Sequence, residues 1–156
     1  MSVLALLVLA AALGCGLIGG LFFAFSTFIM AALAARPLAE GMAAMVSINR
    51  VILRSAFLPV FFGTALLALG LGVAALLRWG PASPWLLAAA CSYLVGNIVV
   101  TMVWNVPLNN RIDRADPGAG NAALWATYVT VWTRWNHVRT LSALAASALF
   151  IAALLV

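Results

Sequence analysis

The chain has 156 residues, 67% of them hydrophobic, with eight arginines, no lysine and three acids, for a formal net charge of +5. Charged residues make up 7% of it, against about 25% in soluble domains, which excludes an ordinary water-soluble fold. A mean hydropathy of +1.18 makes it an integral membrane protein, and sets its isoelectric point near 10.7 against anionic headgroups rather than nucleic acid.

Four apolar stretches reach the ~20 residues that a span requires, at 4–33, 55–77, 84–103 and 138–156. The expected fold is all-α, an integral membrane four-helix bundle forming one domain over residues 1–156. The first stretch has no basic leader and is too long for a signal-peptide core, so it reads as a retained span. Within it, Gly16, Gly20 and Ala24 form a small-xxx-small ladder, a close-packing face for the bundle or for a homo-oligomer. Ser26 and Thr27, in F-F-A-F-S-T-F, read as bonding back to carbonyls one turn earlier.

Arg36-Pro37 ends the first helix and opens the second. The helical pattern then runs from Leu38 to Leu77, which predicts one long helix kinked at Pro59, its first part protruding beyond the bilayer. Met42, Met45, Asn49 and Ile52 share one face. W-G-P-A-S-P-W makes a tight turn with Trp79 and Trp85 as interfacial anchors. In the third span Asn97, Thr101 and Asn105 form a polar stripe, of which Asn97 and Thr101 read as interhelical glue. Pro107 is expected to end or bend that helix, and the segment from Arg111 to Asn121 reads as a loop. The last helix is expected from about Asn121, a good N-cap, to Val156.

Arg36, Arg50 and Arg54 fall in the first connection and Arg111, Arg114 and Arg134 in the third, with Arg78 alone in the second. The positive-inside rule makes the arginine-rich side cytoplasmic, with both termini outside and helices two and four extended on the cytoplasmic side. Abundant alanine without lysine suits a high-GC bacterial genome, hence a bacterial inner membrane. Cys15 and Cys91 lie in spans without a C-x-x-C pair and read as small apolar residues.

Asn49, Asn105, Asn109, Asn136, His137 and Arg139 all gather at the cytoplasmic mouth of such a bundle. Asparagine is costly in lipid and anchors poorly, so this gathering points to a polar cavity. On the last helix, Trp132, Asn136 and Arg139 fall within about 60° of one another, while His137 lies about 100° from Asn136. The histidine and the aromatic stripe therefore occupy adjoining faces, lining either one pocket or two. His137, the only histidine, has three readings: a general base, a single axial haem ligand, or a satisfied interfacial side chain. With no second histidine and every acid in a loop, no metal site is expected.

Taken together, G-G-L-F-F-A-F-S at Gly19–Ser26, Asn49, N-V-P-L-N at Asn105–Asn109 and W-x-x-W-N-H-V-R-T at Trp132–Thr140 resemble the anthrone oxygenase-like family of small four-helix membrane proteins. The resemblance covers nearly the whole chain, and the last two motifs together are fairly specific. It implies dioxygen-dependent oxidation of an anthrone-like or other electron-rich aromatic, with no cofactor required. In such a reaction His137 would take the methylene proton and Asn136, Asn105 or Arg139 would hydrogen-bond the enolate oxygen. Trp132 and Trp135 would stack on the ring, with Asn49 and Asn109 completing the substrate site. The expected partners are a hydrophobic aromatic molecule, dioxygen and the lipid bilayer. Two other classes stand beside this reading: a haem- or quinone-binding protein using His137, and a membrane scaffold joined through the glycine ladder.

Overall fold

In the computed structural model, which describes residues 2–115 and 119–156, the chain folds into five helices, with no strand among the described residues. They are α1 (Val3–Ala34), α2 (Leu38–Ile52), α3 (Phe57–Leu77), α4 (Ser83–Asp113) and α5 (Ala122–Ala153). Three of them, α1, α3 and α4, are long and apolar enough to cross a membrane. The 32-residue α5 packs along α1 and α4; its first half carries the polar string from Trp132 to Thr140, which lowers its hydropathy.

The core has two storeys. One joins Cys15, Ile18 and Phe22 of α1 to Ala68 and Leu71 of α3, Tyr93 of α4 and Ala143 and Phe150 of α5. The other gathers Met30, Met42, Met45, Ile112, Trp125 and Tyr128. Small residues set the spacing. A Cβ on Gly14 would run into Thr64, and one on Gly96 into Ser142. A Cβ on Gly16 would lie 3.4 Å from Ser147 Oγ of α5, whereas one on Gly20 would meet nothing, so the first rung of the expected ladder is used within the chain.

Three expectations are corrected. The stretch from Leu38 to Leu77 is two helices, broken at residues 53–56, where Ser55 Oγ accepts from the Phe57 N–H (3.2 Å) and donates to the Ile52 carbonyl (2.8 Å). Pro59 thereby falls in the first turn of α3, where its missing N–H has no intrahelical partner to lose, and no kink is needed. Pro107 does not end α4, which continues to Asp113. A π-helical turn at Thr101–Asn105 directly precedes it and widens the coil where the proline ring would otherwise crowd a carbonyl. The expected third loop begins later than Arg111, since Arg111–Asp113 are still helical; Asp116, Pro117 and Gly118 lie outside the described residues. As expected, the last helix starts directly after Asn121.

The α1–α2 corner depends on a glycine. Gly41 is buried, and a Cβ there would meet the Leu33 carbonyl oxygen, with Trp125 at 3.3 Å. Backbone cannot yield as a flexible side chain can. Gly41→Ala is therefore expected to destabilise the protein by about 1–3 kcal/mol, read as a lower melting temperature in detergent. An unchanged melting temperature would mean that the corner is loose.

Candidate active site

A cavity of about 240 Å³ lies at the junction of all five helices. Its walls are Leu21, Phe22 and Phe25 of α1, Met45, Asn49 and Ile52 of α2, Phe57 and Phe61 of α3, Thr101, Val106 and Asn109 of α4, and Trp132 and Arg139 of α5. Its rim includes Leu53, Phe62 and Met102, all exposed apolar residues. The mouth thus opens sideways, between the α2–α3 corner and α4, through an apolar frame.

Arg139 dominates this cavity. It is 5% exposed. One terminal nitrogen donates to Asn136 Oδ1 at 2.7 Å, the other to Thr101 Oγ1 at 3.3 Å. The guanidinium carbon sits 4.1 Å from the Phe22 ring centre and 5.0 Å from that of Trp132. Its Nε has no hydrogen-bond partner. Among the described residues the ion pairs are Arg36–Glu40 and Arg50–Asp113, so no described carboxylate meets this cation. A buried charge without a counter-charge is expensive, and here it is held in place by dipoles and aromatic faces alone.

Asn136 is the holding residue. It is fully buried, three residues before Arg139 and so on the same side of α5. Its amide nitrogen donates to the Phe22 carbonyl and to Ser26 Oγ, both at 2.7 Å. Thr140 Oγ1 donates to the Asn136 carbonyl at 2.9 Å and lies 3.1 Å from Ser26 Oγ. The α1 side of this network sits where the helix passes into a π-helical turn at Phe25–Ile29, and such interruptions recur at functional sites. Asn109 does the same work for the ring wall. Its Oδ1 accepts from the Tyr128 hydroxyl (2.9 Å) and from Trp132 Nε1 (2.8 Å), which sets the Trp132 indole against Phe25 at 5.7 Å between centroids. Asn49 also lines the cavity, with its amide nitrogen buried and unpartnered.

The structure thus brings four of the predicted residues, Asn49, Asn109, Trp132 and Arg139, onto one cavity. Asn136 and Asn105 stand behind it, Asn105 donating to the Trp132 carbonyl at 3.3 Å. Two expectations are corrected. His137 does not line this cavity. It is exposed and lies on a shallow groove with Ser26, Thr133 and Arg134, because the helical step of about 100° from Asn136 carries it to the outer face. Trp135 is likewise turned away, stacked on Trp104 with centroids 3.9 Å apart. Asn97, read as glue, is fully buried with neither amide atom hydrogen-bonded. Phe22, Phe25 and Thr101 are the residues that sequence reasoning left out of the site. The phenylalanine-rich motif ending at Ser26 carries the signal: Phe22 and Phe25 continue the buried face of Ile18 at regular helical spacing, while Phe23 points outward.

Chemically, the cavity offers one cation, amide donors, aromatic faces and no acid. Such a site favours a flat apolar molecule bearing, or developing, negative charge on oxygen. Among the described residues no three of His, Cys, Asp and Glu come together.

Residues 54–149, more than half of the chain, match a family model described as anthrone oxygenase. The match contains both N-V-P-L-N and the Trp132–Thr140 motif, with Arg139. No curated protein and no solved structure matches the chain.

Proposed function

The chain belongs to the anthrone oxygenase family, and from that membership and the Arg139 cavity we propose that it oxidises a hydroxylated, electron-rich aromatic with dioxygen inside the membrane. The observation that carries this reading is a buried guanidinium with no acid against it among the described residues, facing an aromatic-walled cavity. An anthrone-type substrate has an acidic ring methylene across the central ring from a carbonyl and conjugated with it once deprotonated. Loss of one proton gives an enolate whose oxygen would accept from Arg139, with the ring against Trp132 and Phe25. Dioxygen then adds to the electron-rich carbon, and the peroxide collapses. One oxygen atom stays as the new carbonyl; the other leaves as water with the two methylene hydrogens. The chemistry balances without an added reductant.

Among the described residues no imidazole or carboxylate lines the cavity, so in this reading the protein acts by shifting acidity. The cation favours the enolate, which forms as the substrate enters, and the proton passes to interfacial water. The apolar rim suits entry from the lipid. In the same reading α5 is the fourth span and the arginine-rich end is cytoplasmic, with both termini outside, in a bacterial inner membrane.

The test uses a chromophoric hydroxyanthrone bound to the purified protein in neutral-lipid nanodiscs. Its ionisation, followed by absorbance, is expected to move at least one pH unit below that of the ligand in empty nanodiscs, since one unit corresponds to only ~1.4 kcal/mol of preference for the anion. Oxygen uptake should accompany it. An ionisation unmoved by the protein, or equally moved in Arg139→Met, sinks the reading.

A further inference from the structure

His137 and Arg134, left outside the cavity, share a groove of about 300 Å³ between α1 and α5. They stand three residues apart on one face of α5, both exposed. Thr133 joins them with its hydroxyl buried and without a hydrogen-bond partner. The polar groups that these three present include a fixed cation and donors, and neither ion pair among the described residues involves Arg134. The opposite wall, Met30 and Ala31 of α1, is apolar.

The depth of this groove identifies its surroundings. Leu4, Leu77, Pro81 and Val156 gather at the far end of the bundle. From there α5 rises about 24 Å between Ala153 and His137, and the last three residues bring the distance close to the ~30 Å of a hydrocarbon core. The groove therefore lies at headgroup level. Just below it, toward the hydrocarbon, the α1–α5 seam exposes Phe23, Leu141 and Leu144, while Gly20 leaves open space. Cationic and hydroxyl donors above an apolar trough match the two halves of a phospholipid.

We infer that this groove binds the phosphate of an anionic phospholipid, with Arg134, His137 and Thr133 on the headgroup and an acyl chain along the seam. The inference is independent of the oxidation chemistry.

Native mass spectrometry of the detergent-purified protein tests it, with phosphatidylglycerol, phosphatidylcholine and inorganic phosphate as separate probes. Wild-type protein is expected to retain one phosphatidylglycerol. Arg134→Gln and the double variant Thr133→Val/His137→Gln should each weaken retention at least tenfold, while Arg78→Gln, an exposed arginine at the far end, should not. The altered side chains are at the surface or small, and circular dichroism of each variant verifies the fold. Equal retention of phosphatidylcholine would reduce the site to its apolar trough. Competition by inorganic phosphate as strong as by the lipid would make it a free-anion site. Equal loss in Arg78→Gln would leave only bulk charge. Each of these three results overturns the proposal.

Discussion

Arg139→Met is expected to destroy turnover and to make the protein more stable. Catalysis should fall by about 10²–10³-fold, the loss seen when one preorganised group facing a developing oxyanion is removed. Stability should move the other way. Arg139 is almost wholly buried, no acid among the described residues pairs with it and its Nε is unpartnered. Replacing buried ion pairs by apolar side chains of similar volume is often neutral or stabilising by about 1–4 kcal/mol, because it removes a desolvation cost of several kcal/mol per ion. A buried cation with no described acid against it carries that cost without an ion pair to offset it. Methionine can also occupy the space between Phe22 and Trp132 that the guanidinium now fills. Arg139→Lys keeps charge but loses the planar fork that reaches Asn136 and Thr101 together, so it should fall between the two. His137→Gln, on the outer face, should reduce kcat/KM by less than about tenfold. Thermal melts and oxygen-uptake kinetics on the same preparations decide the matter. A less stable Arg139→Met protein would mean that the cation holds the bundle together rather than serving its cavity.

The candidate site is only half legible in the sequence, for reasons of helix geometry. Membrane character, the helix start after Asn121 and a cluster of asparagines about Arg139 all follow from composition and 3.6-residue spacing. Residue-level placement follows from it only where the helix is regular. On α5 the spacing correctly put Trp132, Asn136 and Arg139 on one side and His137 on the adjoining face, but could not say that only one face meets a cavity. On α1 and α4 the π-helical turns at Phe25–Ile29, Leu94–Val99 and Thr101–Asn105 shift every later residue around the axis. The inward positions of Phe25 and Thr101 still follow from spacing, since Phe25 continues the buried face of Ile18 and Phe22 and Thr101 shares the polar stripe of Asn97 and Asn105; what spacing leaves open is which inward face meets a cavity. Pro59 was misread because its position in the helix depends on a break at Ser55, which a lone serine does not announce. Chemical type alone favours histidine over arginine as the reactive residue; burial places Arg139 on the cavity and His137 on an exposed groove, which is why the proposed reaction is built on the arginine.

Asn136 and Arg139 should behave as one unit. Asn136→Leu removes the acceptor that holds the guanidinium and leaves the Phe22 carbonyl and Ser26 without its amide. With a charged partner involved, the expected loss is about 2–4 kcal/mol. In the Arg139→Met background the same change should cost less, because Asn136 Oδ1 no longer has a cation to hold. The difference between the two costs, the coupling energy, is expected at about 1–3 kcal/mol, against ~0.5 or less for independent sites. Turnover should show the matching pattern: each single variant nearly as impaired as the double, since a misplaced guanidinium serves the enolate no better than an absent one. Unfolding melts give the first comparison and oxygen uptake the second. Additive stabilities would show that Asn136 merely ties α5 to α1. Additive rate losses would show that its amide meets the substrate in its own right.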